Sequence, residues 1–214
     1  MADQRETHDI IVIGGSAGAL SPLRQIMSAL PADLPAAVFI VLHLGRTSHL
    51  AGILDGSGPL PVAPARSGAL IERRRVYVGV PDRHLLLHDS HLLLSRGPRE
   101  NMVRPAIDPL FRSAAASFGA RVIGVLLSGS LNDGAAGLRA IKRCGGIALV
   151  QDPQDAQTPE MPLAALRHVE VDYCMPAARI GATMAELSTQ PAGPTPPIPL
   201  DIQLETAIAA QELA

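Results

Sequence analysis

Three residues able to do acyl-transfer chemistry each follow a short apolar run. Ser16 lies in Gly14-Gly15-Ser16-Ala17-Gly18 after the run Asp9 to Ile13, His43 ends the run Ala37 to Leu42, and Asp133 lies in Ser128-Gly129-Ser130-Leu131-Asn132-Asp133-Gly134 after Arg121 to Leu127. The first segment fits G-x-S-x-G. Small neighbours there let the backbone turn sharply and present a hydroxyl at a helix N-terminus, where free N–H groups and the dipole stabilise an oxyanion. An imidazole at a neighbouring strand end titrates near neutrality and can take the hydroxyl's proton. A carboxylate can then select the imidazole tautomer and stabilise the imidazolium.

Each residue also has a blander reading. The glycine loop could cradle a phosphate, but G-x-G-x-x-G fails in both registers, because Ser16 stands two after Gly14 and Ala17 two after Gly15. The acidic residue that would hold a ribose at the end of the second strand is replaced by His43. A purely structural turn at Ser16, a hydrogen-bonded strand terminus at His43 and an N-cap at Asp133 remain open. His49 is a second, weaker base candidate. His84, His88 and His91 flank a hairpin turn instead of forming an i, i+4 pair with a glutamate, so no metal is expected. The chain order Ser, His, Asp, with the nucleophile on the first strand, differs from that of the common α/β-hydrolases.

The elements that position these residues alternate. Helical spacing runs from Ala17 to Leu30, around Ser48 to Leu54, and from Pro105 to Phe118, Gly134 to Cys144, Met161 to His168 and Ala177 to Leu187; further strands are read at Arg75 to Val80, Ile147 to Val150 and Val169 to Tyr173. His84 to Leu87 and His91 to Leu94 flank His88-Asp89-Ser90 as a β-hairpin. Strands separated by helices imply right-handed crossovers. The expected fold is therefore α/β, a three-layer doubly wound mainly parallel sheet with an inserted β-hairpin, whose sites form at the carboxyl ends of strands. The expected organisation is an N-terminal tail at 1–8, one domain at 9–188, a linker at 189–199 rich in Pro191, Pro194, Pro196, Pro197 and Pro199, and a tail at 200–214 with helical character. In that tail Ile202, Leu204, Ile208 and Leu213 could form a buried stripe.

The 214 residues fit one compact domain with an appendage. Aromatics make up 2% and Trp is absent, so base-stacking platforms for single-stranded nucleic acid are disfavoured. A net charge of −2 offers little drive toward phosphate backbones, so nucleic acid is not an expected partner. Cys144 and Cys174 cannot form a disulfide framework, no signal peptide opens the chain, and no apolar run approaches the ~20 residues needed to span a bilayer. A cytoplasmic protein that is not integral to a membrane is expected.

The chain resembles the catalytic domain of the chemotaxis protein-glutamate methylesterases, the CheB family, from about Ile10 to Leu187. The resemblance rests on Ile13 to Gly18, Val41-Leu42-His43, Val80 to Leu85, Arg104-Pro105-Ala106-Ile107-Asp108-Pro109-Leu110-Phe111-Arg112-Ser113, Leu127-Ser128-Gly129, Asn132 to Gly137, Gln151-Asp152 and Met161-Pro162. It implies Ser16 as nucleophile, His43 as general base and Asp133 as its orienter, without cofactor or metal. It also implies methyl-accepting chemoreceptors as partners, with demethylation of glutamate γ-methyl esters, and deamidation of glutamines, as the activity. Oxyanion donors are then expected near Ala17 and in the turn Gly129, Ser130, Leu131, and Arg73, Arg74, Arg75, Arg104 and Arg112 are candidates to hold an acidic helical substrate. Two departures stand out: Ala17 where the family commonly has a hydroxyl residue, and Gly129-Ser130-Leu131-Asn132-Asp133 where it commonly has Gly-Met-Gly-Asn-Asp. If that missing glycine takes φ > 0, Leu131 strains the turn. With only eight residues before the first strand, no receiver domain and no control by phosphorylation through one are expected. A hydrolase of another small ester or amide, and a non-catalytic module that captures an anion at the Ser16 loop, are the alternatives.

Overall fold

The computed structural model describes residues 6–43 and 49–211. Its first strand, β1 (Ile10–Gly15), is buried along its whole length, and its side chains alternate: Ile11 and Ile13 enter one core, Ile10 and Val12 the other. A strand apolar on both faces belongs in the middle of a covered parallel sheet. It is followed by α1 (Leu20–Ala29), β2 (Ala37–Leu42), α2 (Leu50–Asp55), β3 (Val62–Pro64) and β4 (Val76–Val78). The antiparallel hairpin of β5 (His84–His88) and β6 (His91–Ser95) comes next. The chain then runs through α3 (Ile107–Phe118), a 3₁₀ turn, β7 (Val122–Leu126), α4 (Ala135–Arg143), β8 (Ile147–Gln151), α5 (Glu160–His168), β9 (Tyr173–Met175), α6 (Ala177–Ser188) and α7 (Leu200–Ala210).

The seven strands outside the hairpin form one all-parallel sheet in the order β3-β4-β2-β1-β7-β8-β9. One face is covered by α1, α2 and α6 through Leu23, Ile26, Leu54, Ile180 and Met184; the other by α3, α4, α5 and the hairpin through Phe111, Leu138, Met161 and Leu85. This is the expected three-layer α/β architecture. The chain winds outward from β1 through β2 and β4, then returns to β7 on the far side of β1. That reversal opens a crevice at the carboxyl ends of β2, β1 and β7, which is where Ser16, His43 and the segment leading to Asp133 emerge. Among the described residues no helix is long and apolar enough to cross a membrane.

Several boundaries differ from the sequence reading. The last strand is Tyr173–Met175, not Val169 to Tyr173, because Val169 closes α5 and the Asp172 carboxylate takes the N–H of Ala148 at 2.7 Å before pairing begins. The edge strand β3 carries too few residues to show a period. Ser48 and Leu213 lie outside the described residues. The proline-rich segment is pinned at Ala192 by its N–H to Glu6 O (2.7 Å) and at Thr195, whose Oγ1 accepts the Ala120 N–H (3.1 Å). Helix α7 docks through Ile202 and Ala209, two turns apart on one face, and through a double hydrogen bond from Arg143 to Asp201 at 2.6 and 2.9 Å. Leu204 and Ile208 point away, at 56% and 49% exposure, so the buried stripe contains Ile202 but not those two.

Ile202→Ala should accordingly lower the unfolding free energy by about 2–4 kcal/mol, read as a shift of the urea midpoint. An unchanged midpoint would mean that α7 does not dock in solution.

Candidate active site

Parallel pairing sets the first two residues side by side. Gly15 stands opposite Leu42 in the register of β1 and β2, and the His43 N–H donates to Gly15 O at 3.1 Å, so Ser16 and His43 leave adjacent strands one step beyond the sheet. Ser16 is held on its other side by its N–H to Ser128 O, at 2.9 Å, just past β7. Ser128 ties four segments together. Its N–H donates to Gln151 Oε1 (2.9 Å), its hydroxyl donates to Ala17 O (2.8 Å), and the same oxygen accepts from Thr158 N–H (2.9 Å). The tightness of this turn explains its glycines. Gly18 has φ +76, and a Cβ at Gly129 would lie 2.9 Å from the Ser16 Cβ.

The third residue enters from between β7 and α4. Asp133 is 2% exposed, and its Oδ2 lies 2.8 Å from His43 Nε2, off the line of the ring N–H. Such alignment is commonly loose before substrate binds. Asp133 does not cap its own helix: the N-cap position of α4 is Gly134, in the left-handed region at φ +93, which has no side chain to offer. Its Oδ2 accepts the Ile107 N–H at 2.7 Å and its Oδ1 the Asp108 N–H at 3.1 Å, so it caps α3. Burial alone would raise the Asp133 pKa, but the adjacent His43 imidazole and the hydrogen bonds from these N–H groups outweigh it and hold the carboxyl below its usual range. It is an ionised acceptor facing the imidazole.

Two residues to which sequence reasoning gave no role complete this cluster. Asp108, in the first turn of α3, accepts at Oδ1 from the N–H groups of Gly134 (3.0 Å) and Gly137 (2.6 Å), capping α4 in return. Burial and the neighbouring charge of Asp133 push its pKa up to about 7. Asn101 Nδ2 lies 2.7 Å from Asp133 Oδ1 and 2.9 Å from Asp108 Oδ2. An acidic residue inside the apolar start of a helix was a visible signal for Asp108; the turn holding Asn101 gave none.

Other candidates are placed elsewhere. The Gly129 N–H donates to Thr158 O at 2.9 Å and is not available as an oxyanion donor, whereas the N–H groups of Ala17, Ser130 and Leu131 have no acceptor among the described residues. Arg112 is 5% exposed and bound twice to Glu100, so it cannot grip a substrate. Arg104 is drawn inward by Asp82 and the carbonyls of Arg96 and Gly97. Arg73 pairs with Asp9, Arg74 bonds Ala36 O through its N–H, and Arg75 lies beside Glu72, all at the amino-terminal end of the sheet, away from Ser16. His84 is fully buried between Pro98 O (2.9 Å) and Ala106 N–H (3.2 Å), a structural position in which burial lowers its pKa. His49 precedes α2, and His88 lies beside Asp89.

A family model described as CheB methylesterase matches residues 11–184. A protein of Anaeromyxobacter dehalogenans named protein-glutamate methylesterase/protein-glutamine glutaminase 2 is 38% identical over 84% of this chain and 53% of its own length. One from Pyrococcus horikoshii, named protein-glutamate methylesterase/protein-glutamine glutaminase, is 34% identical over 82% of this chain and 50% of its own. The chain thus spans about half the length of these two relatives. The crystal structure of the Thermotoga maritima CheB methylesterase catalytic domain matches with a TM-score of 0.80 at 31% identity, covering 84% of this chain and 98% of that one.

Leu131 stands at φ +64 with 74% of its surface exposed, so it bears left-handed strain with little packing in return. Leu131→Gly should raise stability by about 0.5–1 kcal/mol, the relieved strain less the added freedom of the unfolded chain. Thermal unfolding checks this; a lower midpoint would show that the side chain is held by contacts worth more than the strain.

Proposed function

Because the chain belongs to the CheB methylesterase family, we propose that it is a serine hydrolase that removes methyl groups from glutamate γ-methyl esters of chemoreceptors and deamidates glutamines there. The observation that carries this reading is the 2.8 Å contact of His43 with a buried, ionised Asp133 at the strand end adjoining Ser16. With Nε2 committed to Asp133, Nδ1 is the nitrogen left for the Ser16 hydroxyl. His43 takes the Ser16 proton through Nδ1 as the oxygen attacks the ester carbonyl, and Asp133 stabilises the imidazolium. The unengaged N–H groups of Ala17, Ser130 and Leu131 supply the oxyanion donors, close to the amino end of α1. The imidazolium then gives its proton to the departing methanol, and water, activated by the same nitrogen, resolves the acyl-enzyme.

The site's openness favours a protein side chain over a small ester. Ala17, Ser130 and Leu131 are exposed, whereas small-molecule sites enclose most of their ligand. The reading carries with it methyl-accepting chemoreceptors as partners and a cytoplasmic location.

Ser16→Ala should abolish both fluorophosphonate labelling and methanol release from methylated receptor membranes, with the melting temperature within a few degrees of the parent, since losing a nucleophile costs on the order of a million-fold. His43→Ala added to Ser16→Ala should cost nothing more, because such residues act as a unit. Labelling that persists in Ser16→Ala, or a parent protein that releases no methanol, would overturn the assignment.

A further inference from the structure

The proposed reaction accounts for Ser16, His43 and Asp133 but leaves unexplained why a second buried carboxylate stands beside Asp133. Both are reached by one nitrogen, Asn101 Nδ2, at 2.7 and 2.9 Å. A primary amide has two hydrogens, so one such group can serve two carboxylates at once. Asn101 occupies the first central position of a two-residue turn closed by Val103 N–H to Glu100 O at 2.9 Å, with Asn101 at φ +50 and Met102 at φ +65. Asn tolerates that conformation, whereas an 88% exposed Met does not choose it, so the turn is held by its anchors. The anchor is visible: Glu100 receives two hydrogen bonds from the buried Arg112, at 2.6 and 2.8 Å, and Arg112 belongs to the helix that Asp133 caps.

We propose that Asn101 is a positioning residue for hydrolysis: its amide nitrogen, shared between Asp133 and Asp108, fixes the carboxylate that orients His43. The inference rests on the Ser16, His43, Asp133 relay proposed above. A neutral donor suits this task. A lysine or arginine would also separate the carboxylates, but its charge would cancel the one Asp133 presents to the imidazolium.

The surrounding charges single out Asp108 as the group that makes Asn101 necessary. Asp133 is faced by His43 from the end of β2, His84 from β5 and Asp108 from α3; Arg112, a turn further along α3, acts on Asp108, and Glu100 and Arg104 from the connection before α3 act on His84. Glu100 and Arg112 neutralise each other, Arg104 is bound to Asp82, and His84 lies between Pro98 and Ala106. Among the described residues no cation is in hydrogen-bond contact with Asp108. While it is protonated, its O–H can stand in for a missing amide donor to Asp133. Once it ionises, at about 7, two carboxylates face each other with the Asn101 amide shared between them.

Replacing Asn101 therefore has a pH signature that mere structural damage lacks. Asn101→Gly keeps the left-handed turn and deletes the donor. Its rate of Ser16 labelling by a fluorophosphonate, and its kcat for p-nitrophenyl acetate, should fall about 10-fold at pH 6 and about 100-fold at pH 9, with KM unchanged. Adding Asp108→Asn supplies a neutral donor at every pH and should remove the alkaline deepening. Asn101→Asp, nearly isosteric, repeats the test if the glycine variant misfolds, and should lose more at high pH. Parent-like rates in these variants, or a loss equal at every pH, would overturn the positioning role. A parent protein unlabelled at Ser16 would overturn the hydrolase reading itself and the inference with it, whereas a labelled parent with an indifferent Asn101→Gly overturns the inference alone.

Discussion

Two helix N-termini exchange carboxylates, and the candidate site is built on that exchange. The first N–H groups of a helix have no intrahelical acceptor and carry partial positive charge. In α3 they are met by Asp133, which belongs to the approach to α4; in α4 they are met by Asp108, which belongs to α3. Neither helix can shift without uncapping the other. The arrangement has opposite consequences for the two groups. Asp133 is held below the ordinary carboxylate range, so its contribution to stability is present above that range and is lost on acidification. Asp108 binds a proton more tightly folded than unfolded, so its contribution falls as pH rises from the ordinary range through about 7.

The parallel sheet makes this exchange useful. Strands buried on both faces can carry chemistry only where they end, and reversal of the winding between β1 and β7 leaves three such ends around one crevice. Two of the groups there are fixed by sheet register alone: Ser16 and His43 emerge from neighbouring strands whose last paired residues are Gly15 and Leu42. The third must be brought in from a loop, and loops lack register. Capping α3 gives Asp133 the fixed position that a strand would otherwise supply.

This division explains what could be read from the sequence. Ser16 and His43 were legible because short apolar runs predict strands and strand ends predict sites. Asp133 was legible as a residue type after a strand, but its cap lies on a helix 26 positions away, which no local pattern reveals. Asn101 gave no signal because it meets Asp133 across 32 positions and sits in an irregular segment. Arg112 was read as a candidate to hold an acidic substrate, since nothing local shows that Glu100, twelve residues earlier, folds back onto it. Gly129 resembled a donor in a catalytic turn, yet its N–H closes the Thr158 loop instead. Periodicity located the layers, the hairpin and most helices; it missed the short edge strand β3 and set β9 too early, where Val169 closes α5 instead.

Those same short strands bound the ways in which another protein can engage the fold. The sheet ends at β3 and β9, and β3 is flanked by Pro61 and closed by Pro64, which have no N–H to offer a further strand. At the other edge, Pro176 follows β9 directly and α6 begins with Ala177. Continuous main-chain pairing of an extended peptide along either edge therefore has little to build on. A macromolecular ligand has to present its reacting group on its own pre-formed surface, as a helix or a turn, to the loops at the strand ends, and recognition becomes a matter of side chains and shape.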